Sequence, residues 1–205
     1  MIALDHLAVA GDTLDASVAH VEETLGVKMG ARGQHARMGT HNRLLGLGAG
    51  LYLEAIAVDP EAPRPPHPRW FDLDHRRGPA GLANWILRTD DLAGALASVR
   101  LDLGRPLDFV RGDYRWQMAV PEDGKLPFDG AAPALIEWGG DMHPAAALDD
   151  SGCRLVRVEI AHPKAGELLR AMPALLTLKT VLIGPGPVKE MRADFLTPHG
   201  LRHLR

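Results

Sequence analysis

The pattern of hydrophobic and polar positions over the first sixty residues predicts a strand, a helix and three more strands. Ile2 to Ala10 is an apolar run of strand length that contains Asp5 and His6. Apolar residues then recur at helical spacing at positions 14, 18, 21 and 25. Asp12 or Thr13 can cap this helix, and Gly26 can end it. Shorter strand-like runs follow at 27–33, 42–47 and 51–58.

The same pattern returns 78 residues later. Positions 92, 96, 99 and 103 repeat the helical stripe, with Asp90 as the cap and Gly104 as the stop. A strand at 82–88 precedes this helix, with Asn84 where the first copy has His6, and runs at 107–111, 114–120 and 133–138 follow it. Because cap, stripe, stop and preceding strand share one offset, the pattern indicates a duplicated strand–helix–three-strand module.

The predicted fold is therefore α+β, with two paired βαβββ modules that form a half-open barrel and a C-terminal partial βαββ module. We place the first module at 1–59, a proline-rich connector at 60–80, the second module at 81–145 and the partial module at 150–205. In the last unit a strand at 155–161 precedes the helical stripe Leu168, Met172 and Leu175, which contains Pro173. Two further runs lie at 180–183 and 191–196.

Composition narrows the function classes. The 205 residues are 46% hydrophobic and 24% charged with a net charge of −3, which is typical of a soluble globular protein. This mild acidity argues against a nucleic-acid partner or a basic membrane-surface binder. Cys153 is the only cysteine, so the chain fits a reducing compartment. With no signal peptide and no apolar stretch of spanning length, we expect a cytoplasmic protein without membrane contact.

Three ionisable residues are expected to meet in a cup between the modules. Two such units placed edge to edge enclose a concave face that both can line. Glu54 and Glu137 end the two copies at an offset of 83, five residues being inserted, and His6 lies in the first strand. A charge within an apolar strand is costly unless it is paired, metal-bound or solvated by a cavity. The pattern therefore favours a site that contains both carboxylates and the imidazole.

Several motifs together resemble a known family. They are Leu-Asp-His-Leu (4–7), Gly-Gln-His-Ala-Arg-Met-Gly-Thr-His-Asn (33–42), Tyr-Leu-Glu (52–54), Arg-Thr-Asp-Asp-Leu (88–92) and Ile-Glu-Trp (136–138) with His143-Pro144. The chain resembles the vicinal-oxygen-chelate superfamily, which includes glyoxalases, extradiol dioxygenases, epimerases and bleomycin-resistance proteins. It is most similar to glyoxalase-like domain proteins, over about residues 1–200.

The resemblance implies ligands for a metal at His6, Glu54, Asn84 and Glu137. Asn84 departs from the histidine or glutamine that is common there, which leaves His6, Glu54 and Glu137 for divalent manganese, iron, nickel, cobalt or zinc. No organic cofactor is implied. Glu54 or Glu137 would be the catalytic base of a lyase or isomerase step. The alternative is a binding protein without metal or catalysis, whose pocket walls are Trp85, Trp116, Tyr52 and Asn84.

Four residues are candidates for contact with a small-molecule ligand, the expected partner: Asn84, His35, Asn42 and Arg115. For His35 a pocket wall and an exposed hairpin are equally favoured. Arg115 alternates with Trp116, so only one of the two faces the cup. Arg69, Trp70 and Phe71 form either a lid or an anchored linker. A homodimer formed through the C-terminal module is a further alternative.

Overall fold

Two strand–helix–three-strand modules build one eight-stranded sheet in the computed structural model, which describes residues 1–48 and 50–205. The first module contains β1 (Ile2–Ala10), α1 (Leu14–Leu25), β2 (Arg32–His35), β3 (Thr40–Gly46) and β4 (Tyr52–Val58). The second contains β5 (Gly81–Thr89), α2 (Leu92–Ser98), β6 (Arg105–Arg111), β7 (Tyr114–Val120) and β8 (Ala134–Trp138). The duplication predicted from the hydrophobic pattern is thus present in the element order.

Helix α1 begins and ends where its sequence predicts. Thr13 has an extended backbone, and its hydroxyl accepts a hydrogen bond from the Ala16 amide. Gly26 ends the helix in the left-handed conformation, and its amide donates to the Glu22 carbonyl. Leu14, Val21 and Leu25 are buried along one face, as the spacing predicts.

Helix α2 is shorter than its hydrophobic stripe predicts. Asp91, rather than Asp90, caps it by accepting from the Gly94 amide, and the helix stops at Ser98 because Val99 is extended. Leu103 is nonetheless buried, so the apolar stripe continues into the core without helical backbone. Gly104 lies against β7, and a Cβ there would stand about 2.0 Å from the Val120 carbonyl carbon. Only glycine permits that close approach.

The eight-stranded sheet runs in the order β2-β3-β4-β1-β5-β8-β7-β6. β1 and β5 pair antiparallel at its centre, while β4 pairs parallel with β1 and β8 pairs parallel with β5. The outer strands β2 and β6 approach each other, so the sheet curls into a nearly closed barrel. The concave interior of this barrel is the predicted cup.

A four-stranded sheet follows the barrel. It contains β9 (Arg154–Ala161), β10 (Val181–Gly184), β11 (Glu190–Thr197) and β12 (Gly200–Leu204), in the order β10-β9-β11-β12. The short helix α3 (Pro144–Ala147) precedes it, and α4 (Ala165–Ala171) lies between β9 and β10. Pro173 ends α4 and starts a 3₁₀ turn over Pro173–Thr177, since the residue before a proline avoids helical backbone. β12 is a strand that the sequence analysis did not predict.

The connector between the modules is anchored to the barrel. Arg69 is buried and binds the Asp74 carboxylate and the Gly39 carbonyl oxygen. Trp70 is buried as well, and a 3₁₀ turn spans Trp70–Asp72. The connector therefore places Trp70 and Phe71 against the barrel interior.

No helix of the described residues is both long enough and apolar enough to cross a membrane.

Candidate functional site

The cup inside the barrel is lined by side chains of both modules and of the connector. Its polar side chains are His6, His35, Asn42, Tyr52, Glu54 and Arg111. Its apolar and aromatic side chains are Leu44, Trp70, Phe71, Trp116, Met118, Ile136 and Trp138. Centres of water molecules can occupy about 30 Å³ of it, which is room for about two waters.

His6 lies between two carboxylates. Its Nδ1 is 2.6 Å from Asp5 Oδ1, and its Nε2 is 3.7 Å from Glu54 Oε2. The imidazole also stacks on the Tyr52 ring with 4.3 Å between centroids. Neighbouring residues of a regular strand point to opposite faces, but the pairing of β1 with β5 shifts register between Leu4 and His6. That irregularity coincides with the direct contact between Asp5 and His6.

Asp5 is the most enclosed charge near the cup. Its carboxylate is 0% exposed and accepts hydrogen bonds from Trp138 Nε1 at 3.1 Å and His143 Nε2 at 2.9 Å, besides its contact with His6. Burial by itself raises the pKa of a carboxyl group, but here the hydrogen bonds from His143 and His6 hold the pKa of Asp5 well below its usual range. Asp5 is therefore ionised and fixes the orientation of His6.

Glu54 points into the cup from β4 and is 5% exposed. Asn42 Nδ2 donates to its Oε1 at 2.6 Å, and His35 Nε2 is 3.9 Å from the same oxygen. No lysine or arginine of the described residues lies within 4 Å of this carboxylate. A buried carboxylate held by an amide and two imidazoles keeps lone pairs free for a ligand.

His35 and Arg111 complete the polar side of the cup. Burial, with the nearby charges of Arg111 and His6, lowers the pKa of His35 to about 3, so this ring is neutral at pH 7. Its Nδ1 is 3.2 Å from the Thr40 hydroxyl. Arg111 Nη1 donates to Asn42 Oδ1 at 3.4 Å. Asn42 thus joins a carboxylate, a neutral imidazole and a guanidinium.

A wider groove adjoins the cup. It shares Asn42, Leu44 and Arg111 with the cup and has a volume of about 1020 Å³ by the same measure. The guanidinium of Arg111 lies 5.7 Å from the centroid of the Tyr114 ring, another lining residue of the groove. Arg111 therefore lies where the narrow cup opens into the wide groove.

The model of the glyoxalase-like domain family matches residues 4–176, which is most of the chain. The chain belongs to this family. The resemblance to glyoxalase-like domain proteins of the vicinal-oxygen-chelate superfamily is confirmed by this match. No curated protein sequence matches the chain.

Solved structures show the same glyoxalase-like fold at low identity. A hypothetical protein from Staphylococcus aureus is 14% identical with a TM-score of 0.61, and the match covers 93% of this chain and 88% of that one. A methylmalonyl-CoA epimerase from Mycobacterium tuberculosis is 19% identical with a TM-score of 0.44, covering 70% of this chain and 91% of the epimerase.

Glu137 lies outside the cup of this glyoxalase-like domain. Its Oε2 accepts a hydrogen bond of 2.7 Å from the Leu92 amide at the start of α2. The strand register explains this placement. Glu54 pairs with Ala8 and Ala134 pairs with Ile86, so a shift of 78 in the first strands accompanies a shift of 80 in the last strands. Glu137 is three residues beyond Ala134, and an odd number of residues places a side chain on the opposite face of the sheet.

Two predicted ligand-contact residues also lie elsewhere. Asn84 is buried against a second cavity on the far side of Phe71, and Phe71 lines both cavities. Arg115 is exposed, because the apolar pair Trp116 and Met118 faces the cup. His35 and Asn42 do line the cup. Trp85 lies in the core, where its Nε1 donates to the Ala131 carbonyl oxygen at 2.9 Å.

The side chains of the cup do not fit the four-ligand metal site that the resemblance implied. Only His6 and Glu54 of the four positions face the cup, while Asn84 and Glu137 face other surfaces. Within residues 1–48 and 50–205, no group of three or more histidine, cysteine, aspartate or glutamate side chains is arranged to hold a metal ion. The chemistry of the cup is therefore derived from its own acid–base groups.

Sequence reasoning missed Asp5, Arg111 and His143 as parts of the site. Arg111 was detectable, because it alternates with Phe109 on the cup-facing side of β6 and precedes a Gly-Asp turn. Asp5 was not, because a regular strand would turn its side chain away from His6. His143 comes from a loop and reaches Asp5 across 138 positions of sequence.

Proposed function

We propose that the cup binds a small oxygenated organic molecule and that Glu54 moves a proton at a carbon next to a carbonyl group of that molecule. The observation that carries the proposal is the buried Glu54 carboxylate, which faces the cup without a lysine or arginine partner among the described residues. A carboxylate kept away from cations and water is a suitable general base. The reaction class is that of an isomerase, an epimerase or a lyase.

The other polar groups of the cup have roles in the same step. His6, whose Nδ1 is held by Asp5, presents Nε2 toward Glu54 and toward the substrate oxygen that gains negative charge. His35 is neutral, so it donates or accepts a hydrogen bond without adding charge. Arg111, at the junction of cup and groove, binds an anionic or carbonyl oxygen of the substrate. The groove receives the part of the substrate that does not react.

The narrowness of the cup limits the reacting part of the substrate. Space for about two waters accepts a fragment of only a few heavy atoms unless Trp70 and Phe71 move. Both side chains belong to the connector and stack on each other with 5.5 Å between ring centroids. We therefore propose that these two rings close over the reacting group and exclude water from Glu54.

The test is exchange of carbon-bound hydrogen for deuterium, followed by proton NMR in D₂O. The panel contains 2-oxoaldehydes, 2-hydroxy ketones and epimerisable acyl compounds. Glu54→Gln keeps the size of the side chain and removes the base, so exchange should fall by about 10²–10⁴-fold. Glu137→Gln is the matched control, because it removes the other candidate carboxylate, which caps α2. Equal exchange in wild type and Glu54→Gln would contradict the proposal.

A binding protein without catalysis is the second candidate, and the aromatic wall favours it. Trp70, Trp116 and Trp138 line the cup, and Trp116 lies 5.4 Å from Trp138 between ring centroids. Such rings bind planar organic molecules by stacking. Under this alternative a ligand quenches tryptophan fluorescence in wild type and Glu54→Gln alike, and no panel compound exchanges.

Pairing of two chains also stays a proposal. Val156, Leu182, Leu196 and Leu201 are each about half exposed, and all four lie on the C-terminal sheet. Exposed apolar side chains grouped on one sheet are typical of contact surfaces. Light scattering should give twice the chain mass for wild type and a single chain mass for Leu196→Lys. A single chain mass for wild type would contradict the dimer.

A further inference from the structure

A second cavity lies on the other side of Phe71 from the cup. It has a volume of about 530 Å³, in the range of small-molecule sites. Phe71 and Asp72 from the connector, Asn84 from β5, and Asp129 and Gly130 from the loop before β8 form its walls. Phe71 is the residue that it shares with the cup.

Positive charge predominates around this second cavity. Four cationic side chains line it, against two acidic ones: Arg76, Arg77, Lys125 and Lys189 against Asp72 and Asp129. Both acids have other partners. Asp72 is bound by His75 at 2.6 Å and faces Lys125 at 3.9 Å, while Asp129 is 3.2 Å from His162. The remaining cations are not neutralised by these acids.

Lys189 and Arg76 are half-buried at the wall of this cavity without an acidic partner. No carboxylate of the described residues comes within 4 Å of either charge. Lys189 Nζ donates to the Ala83 carbonyl oxygen at 3.0 Å, which leaves two of its protons free. Arg76 Nε is buried without a hydrogen-bond partner. Burial, and the charge of Arg76, lower the pKa of Lys189, as expected for a cation that lacks its counter-charge.

The backbone around the second cavity is strained. Outside glycine, the described residues adopt positive φ only at Phe71, Asp72, Phe128 and Asp129, and three of these four line the cavity. Each such residue costs about 1–3 kcal/mol, and such strain clusters at functional sites. At Gly130 a Cβ would point into the gap, 3.6 Å from Asn84 Nδ2 and 3.7 Å from Lys189 Nζ. The glycine keeps open the space between these two donors.

We propose that the second cavity binds a small anionic molecule that carries phosphate or carboxylate groups. Lys189 and Arg76 supply the charge that the protein itself does not neutralise, and Asn84 adds an amide donor. Half-buried cations attract an anion more strongly than exposed ones because water screens them less. This site is separate from the proton-transfer site around Glu54, so either proposal can fail without the other.

Isothermal titration calorimetry tests this site with inorganic phosphate, pyrophosphate and citrate at a constant ionic strength set by sodium chloride. Wild type should bind at least one of these anions at one site per chain, and comparison of pyrophosphate with citrate distinguishes phosphate from carboxylate chemistry. Lys189→Gln and Arg76→Gln should each weaken binding by about tenfold or more. Lys179→Gln, which removes an exposed lysine outside the cavity, should bind like wild type.

Thermal unfolding supplies a second measurement for the same variants. A bound anion should raise the melting temperature of wild type but raise that of Lys189→Gln and Arg76→Gln much less. Two variants are used so that poor folding of one does not remove the test. Absence of saturable binding by all three anions would overturn the proposal. Equal binding by wild type and a folded Lys189→Gln or Arg76→Gln variant would overturn it as well.

Discussion

Replacement of Asp5 by asparagine should be among the most damaging single changes near the cup. The carboxylate is fully buried and has three hydrogen-bond partners: His6 at 2.6 Å, His143 at 2.9 Å and Trp138 at 3.1 Å. An asparagine keeps one acceptor oxygen and turns an NH₂ group toward at least one of these N–H groups. A hydrogen bond to a charged acceptor contributes about 1.5–3 kcal/mol, and breaking a buried charge cluster costs about 3–5 kcal/mol.

The expected loss in the free energy of unfolding is therefore about 3–5 kcal/mol at pH 7. For a chain of this size that corresponds to a fall in melting temperature of about 6–20 °C. Urea unfolding followed by tryptophan fluorescence measures the loss as a lower midpoint with an unchanged slope. Asp150→Asn is the control, since the Asp150 side chain is 64% exposed and pairs with Arg154 at the surface, so its midpoint should stay close to wild type.

The pH dependence of the difference gives an independent check. The pKa of Asp5 is lower in the folded protein than its usual value of 3.8. Its contribution is thus complete above that usual value and is lost as the pH falls through the folded pKa. The gap between wild type and Asp5→Asn should be constant from pH 7 to about 5 and should narrow below about pH 4. A loss below about 1 kcal/mol at pH 7, or a gap that does not narrow in acid, would refute this reasoning.

Three further predictions follow from the cup. Arg111→Gln should weaken binding of an anionic ligand by about tenfold or more while the exposed Arg115→Gln has little effect, and fluorescence titration of both variants measures this. His35 is neutral when folded and protonates in the unfolded chain below about pH 6.5. His35→Gln should therefore reduce the loss of stability between pH 6.5 and 3 by up to about 1.4 kcal/mol per pH unit, and an unchanged slope in urea unfolding would contradict the pKa of about 3. Elemental mass spectrometry of protein purified without chelators should find less than one metal per chain, because only His6 and Glu54 of the implied ligands face the cup; one metal per chain that is lost in His6→Ala would contradict our reading of the donor set.

The elements of the fold were predictable because local patterns determine them. The caps, stripe and stop of α1 act within a few residues, so Thr13, Leu14 and Gly26 suffice to place it. The end of α2 was not predictable, since Leu103 is buried by packing against distant strands rather than by helical backbone. β12 was missed because the turn between Thr197 and Gly200 that returns the chain is short and polar, like an exposed end.

The first-module half of the site was predictable and the rest was not. His6 and Glu54 lie on β1 and β4, where period-two alternation has a direct meaning, and both face the cup. The prediction for Glu137 assumed that both modules keep the same register, and two additional residues between β5 and β8 break that assumption. Asp5 and His143 depend on an irregular strand and on a loop contact, which a sequence pattern does not encode.

The parity of a loop length decides where the chemistry of this protein lies. Because side chains of a strand alternate, an insertion of two residues leaves every side chain of β8 on its original face, whereas an insertion of one would exchange the two faces. Loss or gain of a single residue before β8 would offer Glu137 to the barrel interior and withdraw Trp138 and Ile136 from it. A second carboxylate is thus one register step from the cup, and drift in loop length alone can change how many acidic groups a duplicated barrel of this kind presents to its ligand.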